Sequence, residues 1–252
     1  MNNYVIELND LSIGYGQTPV VNDIDLCISR GSIVSLIGAN GSGKSTLLKT
    51  LIKELAPLKG TVLIDGFSLE GYSQKELSKK IAILMTGRFR SGFLTCREIV
   101  EYGRYPYTDI FGKLSDEDER AVRRAMEMLG IDSFSEKLFS TLSDGQKQLT
   151  MLARAVCQEP ELLIMDEPTS FLDINYKLEL LRIVKELSGK GVTVIMSLHE
   201  LELAREISDI AVCIQDGYVK KTGAPEDIFT EEVIGEAFHV KDFGILKKSL
   251  FG

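Results

Sequence analysis

The sequence predicts an α/β fold built on a largely parallel sheet. Three observations point to it. The apolar run Ile33 to Ile37 leads into a glycine-rich turn and then a stretch with apolar residues at helical spacing. A second apolar run, Leu162 to Met165, ends in two adjacent acids, Asp166 and Glu167. A third, Val192 to Met196, follows a helical stretch near Tyr176 to Leu187. Strands apolar throughout are buried on both faces, as in a parallel sheet covered by helices.

Taken in order, Tyr4 to Leu8 and Ile24 to Ile28 read as strands, with Gly14 and Gly16 between them. The strand Ile33 to Ile37 and a helix from Lys44 to Leu55 follow, the helix ending near Pro57 and Gly60. Thr61 to Ile64 and Ile81 to Met85 are further strands. From about residue 87 to 158 the texture becomes helical. Thr95-Cys96-Arg97-Glu98 is a capping box, and a helix opened by Ser115-Asp116-Glu117-Asp118 runs to Leu129 and stops at Gly130. Its first-turn acids suit the helix dipole and form a solvated face. Another helix begins near Asp144 and ends before Pro160. The sheet texture then returns, and Ile210 to Ile214 precedes an Asp216-Gly217 turn. The last 30 residues carry no clear pattern.

The chain has 252 residues, 44% hydrophobic and 26% charged, which suits one large soluble α/β domain with an inserted subdomain. Its net charge of −8 disfavours a nucleic-acid partner, local basic patches aside. No apolar run approaches the roughly 18 residues of a membrane span. Met1-Asn2-Asn3-Tyr4 carries no basic or long apolar segment, so no signal peptide is expected. Cys27, Cys96, Cys157 and Cys213 are widely spaced in apolar stretches. Reduced, buried thiols are expected, without a metal site.

Gly38-Ala39-Asn40-Gly41-Ser42-Gly43-Lys44-Ser45-Thr46 matches G-x-x-x-x-G-K-[ST], a phosphate-binding loop, in the strand–loop–helix setting that motif needs. Its glycines let backbone N–H groups curl around phosphate oxygens, and the helix N-terminus adds partial positive charge. Lys44 is placed to reach the β- and γ-phosphates, and the Ser45 hydroxyl to hold Mg²⁺. A dinucleotide fingerprint is rejected, because Thr46 stands where its third glycine belongs.

A magnesium-bound triphosphate also needs a carboxylate near the metal and a base near the attacking water. Asp166 is expected to bind Mg²⁺, directly or through water, and Glu167 to orient or deprotonate the water. His199 follows the strand Val192 to Met196 and so lies at the same sheet edge, where it can sense the γ-phosphate. His239 has no such context and reads as structural or exposed. Leu142-Ser143-Asp144-Gly145-Gln146 opens a second phosphate-binding helix terminus, although Ser143 or Asp144 serves equally as a plain N-cap.

In order and spacing, these motifs resemble those of ABC-type ATPase subunits over nearly the whole length. Gly38 to Thr46 resembles the Walker A motif, Leu162 to Glu167 Walker B, and Leu142 to Gln146 the LSGGQ signature. Ser170-Phe171-Leu172-Asp173 resembles the D-loop, His199 the switch histidine, and Tyr15 the aromatic residue that stacks on adenine. The resemblance implies a P-loop NTPase core (1–86 and 159–252) carrying an N-terminal antiparallel β subdomain, with an inserted α-helical signature subdomain (87–158). It also implies ATP and Mg²⁺ as cofactors and ATP hydrolysis as the activity. ATP would lie at the interface of a head-to-tail homodimer, held by Walker A of one chain and by Ser143, Gly145 and Gln146 of the other. Partners would be integral-membrane permease subunits and, indirectly, a substrate-binding protein, with no nucleic acid. The chain would then be peripheral on the cytoplasmic face of the membrane.

Glu101-Tyr102-Gly103-Arg104-Tyr105-Pro106-Tyr107, followed by Leu114 to Asp118, resembles importer ATPases for iron–siderophore, haem and cobalamin complexes. The aromatic cluster suits either a permease interface or buried core. Two positions depart from the family. Thr86 replaces the usual Gln, two heavy atoms longer, which would weaken hydrolysis or coupling unless water or a neighbour such as Arg88 adapts. Asp144 replaces a Gly. A carboxylate there would be repelled by phosphate, so it is expected to point away, capping its own helix. The alternatives are a soluble ABC ATPase acting on DNA or ribosomes, which normally carries coiled-coil insertions or two ATPase domains absent here, and a regulatory subunit that binds ATP without turnover.

Overall fold

A computed structural model describes residues 3–85, 92–109, 111–170, 172–240 and 242–244. The chain begins with a long hairpin, β1 (Tyr4–Tyr15) and β2 (Thr18–Ser29). Then come β3 (Ile33–Ile37), α1 (Lys44–Leu51), β4 (Lys59–Ile64), β5 (Phe67–Ser68), α2 (Gln74–Lys80) and β6 (Ile81–Met85). A helical stretch holds α3 (Cys96–Glu101), α4 (Asp116–Met128) and α5 (Asp144–Cys157). The sheet resumes with β7 (Leu162–Asp166), α6 (Ile174–Gly189), β8 (Thr193–Ser197), α7 (Leu201–Ile207), β9 (Ile210–Gln215) and β10 (Tyr218–Gly223). Two short helices, α8 (Pro225–Ile228) and α9 (Glu231–Phe238), follow.

One sheet runs β5-β4-β1-β2-β10-β9-β3-β8-β7-β6. Its first four strands are antiparallel and meet the rest at a single register pair, Tyr218 with Asn22. Strands β9, β3, β8, β7 and β6 are parallel. Within β7 the side chains alternate between two cores. Leu163 and Met165 pack with the helical insert, α6 and α7. Leu162 and Ile164 pack with α1 and the β1–β2 hairpin. Both faces are buried, which is why this strand is apolar at every core position.

The insert is built on three capping boxes, Thr95 with Glu98, Ser115 with Asp118, and Ser143 with Gln146. Asp118 also accepts from buried Arg104 (Nε to Oδ1, 2.8 Å). Arg104 stacks on Tyr107 at 4.0 Å, while Tyr102 and Tyr105 are exposed. The aromatic segment therefore divides, one tyrosine anchoring it and two facing outward.

Several expectations need correction. The first two strands are each 12 residues long, because register shifts with left-handed turns at Asp10 and Asp23 absorb their polar residues. Helix α1 stops at Leu51 instead of Leu55, ahead of left-handed Lys53. Cys27 is exposed, since it alternates with Leu26 and Ile28, which face the core; the other three cysteines are buried. Burial pushes the Cys157 thiol up to about 12 and that of Cys213 to about 11.

Candidate functional site

Parallel register decides which residues meet. Leu36 of β3 and Asp166 of β7 both pair with Ser197 of β8. Three crossovers therefore leave the same sheet edge: the phosphate loop after β3, Glu167 after β7 and His199 after β8. Met85 of β6 pairs with Asp166. Thr86 and Arg88 lie outside the described residues, as does Phe171.

The loop 38–43 wraps the start of α1. Gly43 takes φ 107, and a Cβ there would stand 2.3 Å from Val21 Cγ2 of the hairpin, so only glycine fits. Asn40 and Gly41 are exposed, Gly38 is buried, and Ser45 is half-buried with Thr46 buried beside it. Helix α1 has no side-chain cap and no acid in its first turn, which leaves its positive end for an anion. The buried Ser42 Oγ has no hydrogen-bond partner among the described residues. An orphaned hydroxyl in a loop with an uncapped helix start fits a phosphate ligand.

Lys44 is 5% exposed and donates from Nζ to Gly38 O (2.7 Å) and Ala39 O (3.1 Å). Burial lowers its pKa, while the charges of Glu167 and Asp166 pull the other way. Asp166 Oδ1 accepts from Ser197 Oγ at 2.6 Å, and the same Oγ accepts from Glu167 N at 2.9 Å. Glu167 sits at φ 48 with Oε1 2.5 Å from His199 Nε2. Glu167, the second of the two strand-end acids, is thus a left-handed non-glycine residue held against a histidine, local strain at the candidate site. His239, in contrast, is the left-handed C-cap of α9.

Lys44, Asp166, Glu167 and His199 are thus brought to one place. Tyr15 stands exposed at the end of β1, on the hairpin that packs against Gly43. Ser143, Gly145 and Gln146 belong instead to the start of α5. Ser143 is that helix's N-cap, accepting from Gln146 N at 3.3 Å. Asp144 is 3.6 Å from Lys147 with an 81% exposed side chain, and it caps nothing, because Ser143 already holds that role.

Sequence reasoning missed Ser197, which orders both acids, although a lone polar residue ending an apolar strand signals such a role. It also missed Tyr176 and Gln148. A Cβ on Gly145 would stand 2.2 Å from the Tyr176 ring, and Gln148 Nε2 donates to Pro168 O at 3.0 Å. No local pattern announces either contact.

The ABC transporter family model matches residues 21–170. An uncharacterised ABC transporter ATP-binding protein of Methanocaldococcus jannaschii is 39% identical, over 94% of this chain and 82% of its own. The iron(3+)-hydroxamate import ATP-binding protein FhuC of Bacillus subtilis is 37% identical, over 93% and 88%. The structure of cbiO1 from Clostridium perfringens, part of the ABC transporter complex cbiONQ, superposes with a TM-score of 0.81 at 26% identity, covering 98% of both chains. With a phosphate loop, two strand-end acids and a histidine at one sheet edge, and a family match over most of its length, the chain belongs to the ABC transporter family, as one of its nucleotide-binding ATPase subunits.

Proposed function

We propose that this chain hydrolyses ATP to power an importer of iron–siderophore, haem or cobalamin complexes. The observation that carries the hydrolytic part is the Glu167–His199 contact of 2.5 Å at the edge where Lys44 also lies. The importer class is supported by relatives named for iron(3+)-hydroxamate and ferric enterobactin transport, the latter FepC of Escherichia coli at 35% identity.

Lys44 and the loop N–H groups hold the β- and γ-phosphates. Ser45 and Asp166 would hold Mg²⁺, which draws charge from the phosphoryl oxygens. Glu167 orients or deprotonates the attacking water, and His199 fixes Glu167 and contacts the γ-phosphate. Tyr15 stacks on adenine. Ser143, Gly145 and Gln146 reach the γ-phosphate of a second copy in a head-to-tail dimer, so cleavage removes the bridge between chains.

A cavity of about 910 Å³ opens where α2 and β6 meet the insert, lined by Gln74, Lys75, Tyr102, Tyr105, Arg154 and Gln158. Its exposed tyrosines suit the docking of a permease segment. No helix among the described residues is long and apolar enough to cross a membrane, so attachment to the cytoplasmic face would come through that permease.

Glu167→Gln tests the reading. Turnover is expected to fall by about 10²–10⁴-fold with ATP still bound, leaving a dimer on gel filtration with Mg-ATP. Undiminished turnover, measured as phosphate release, would refute it.

A further inference from the structure

Glu200 occupies the N-cap position of α7 yet makes no side-chain cap there. Both of its oxygens are used across the site. Oε2 accepts from Thr169 Oγ1 at 2.7 Å, and Oε1 accepts from Lys177 Nζ at 2.6 Å. Thr169 is 1% exposed, and the Glu200 and Lys177 side chains are 33% and 22% exposed. Burial pushes the Glu200 carboxyl up, but Lys177 and Thr169 outweigh it and hold the group below the usual carboxylate range. The carboxylate is therefore charged at neutral pH and bound at both ends.

The placement of these ends matters. Glu200 directly follows His199. Thr169 lies two residues after Glu167, and Lys177 lies in the opening turn of α6. Glu167 sits at a left-handed bend whose carbonyl accepts from Ser170 N at 3.1 Å. The direction of its side chain thus depends on where residues 168–170 lie, and Ser170 Oγ also donates to Glu167 Oε2 at 3.4 Å. His199 and Glu167 come from different crossovers, and at the sheet edge the Glu167 backbone is tied to β8 through Ser197 Oγ. Beyond that edge the Glu200 contacts span the two crossovers.

We propose that Glu200 is a positioning residue for ATP hydrolysis, clamping the His199 loop to Thr169 and Lys177 so that Glu167 and His199 keep their alignment. The clamp holds the base without touching the phosphate loop, so its loss acts on turnover and leaves ATP binding intact. This rests on the roles given above to Glu167 and His199. A displacement of about 1 Å in reacting groups costs on the order of 10²-fold in rate.

The test is steady-state ATPase kinetics on the full chain, with ATP binding and thermal midpoint measured in parallel. Glu200→Ala is expected to lower kcat about 10- to 100-fold while KM for ATP changes less than about threefold. Glu200→Gln, which keeps the hydrogen bonds but loses the charge, is expected to fall between it and wild type. The exchange Glu200→Lys with Lys177→Glu is expected to recover much of the turnover lost in either single variant, a coupling that general loss of packing would not give. A kcat within about twofold of wild type in Glu200→Ala overturns the proposal. So does a joint fall of kcat, ATP binding and thermal midpoint with no recovery on exchange. Glu167→Gln separates the two layers. If it kills turnover while Glu200→Ala does not, the clamp alone is wrong; if it leaves turnover intact, the assignment of Glu167 is wrong and the clamp falls with it.

Discussion

The chain has two helix starts that the motifs assign to phosphate, and they are built in opposite ways. At α1 the cap is a left-handed glycine with no side-chain hydrogen bond, no acid in the first turn, a buried lysine at the first position and an orphaned serine hydroxyl next to it. At α5 the cap is a closed box, with Ser143 N donating to Gln146 Oε1 at 3.1 Å and Gln146 N donating back to Ser143 Oγ. Ser143 and Asp144 are exposed there, whereas Gly43 and Lys44 are buried. The first terminus has no side-chain cap of its own. The second is satisfied by its own chain and presents an outward face. The contrast teaches that a helix N-terminus becomes an anion site when its capping is withheld. It also suits the proposal that α5 serves the nucleotide of a partner subunit.

Removing the charge from the uncapped terminus gives the largest break in this comparison. Lys44→Ala is expected to lower turnover by about 10²–10³-fold and to abolish the rise in thermal midpoint caused by Mg-ATP. A full ATP-dependent shift in that variant would show that the loop does not depend on its lysine.

A smaller effect, on stability, is expected at the second terminus. Gly145→Ala puts a Cβ 2.2 Å from the Tyr176 ring. Overpacking of this kind costs about 1–3 kcal/mol, against a propensity gain of about 1 kcal/mol for Ala over Gly in a helix. Denaturant unfolding is expected to show a net loss, and the double variant with Tyr176→Ala to be less destabilised than the two single losses summed. Strict additivity would mean the ring moves aside freely.

The smallest change sharpens the contrast. Ser143→Ala removes the α5 cap and is expected to cost about 1 kcal/mol of unfolding free energy without nucleotide. The Mg-ATP shift given by the α1 loop of an isolated chain is expected to persist. Loss of that shift would mean the two termini serve one nucleotide within a single chain.

The phosphate loop, both acids and the helical insert were legible because each is local. Strand, glycines and lysine are contiguous, capping boxes span four residues, and a buried parallel strand is apolar at every step. The same locality misled where side chains are chosen by distant neighbours. Cys27 looked buried from its apolar surroundings, yet strand alternation turns it outward. Asp144 looked like a cap until Ser143 proved to fill that place.

By itself, then, the sequence determined the fold class, the phosphate loop and the paired acids, since these follow from periodicity and from backbone needs a few residues long. Only the tertiary structure decided that Ser197 ties Asp166 to Glu167, that Glu200 spans to Thr169 and Lys177, and that Tyr176 requires glycine at 145. Those contacts join residues 23 to 31 positions apart, and the separation at which two crossovers leave a shared sheet edge is set by strand order and register, which no short window of sequence carries.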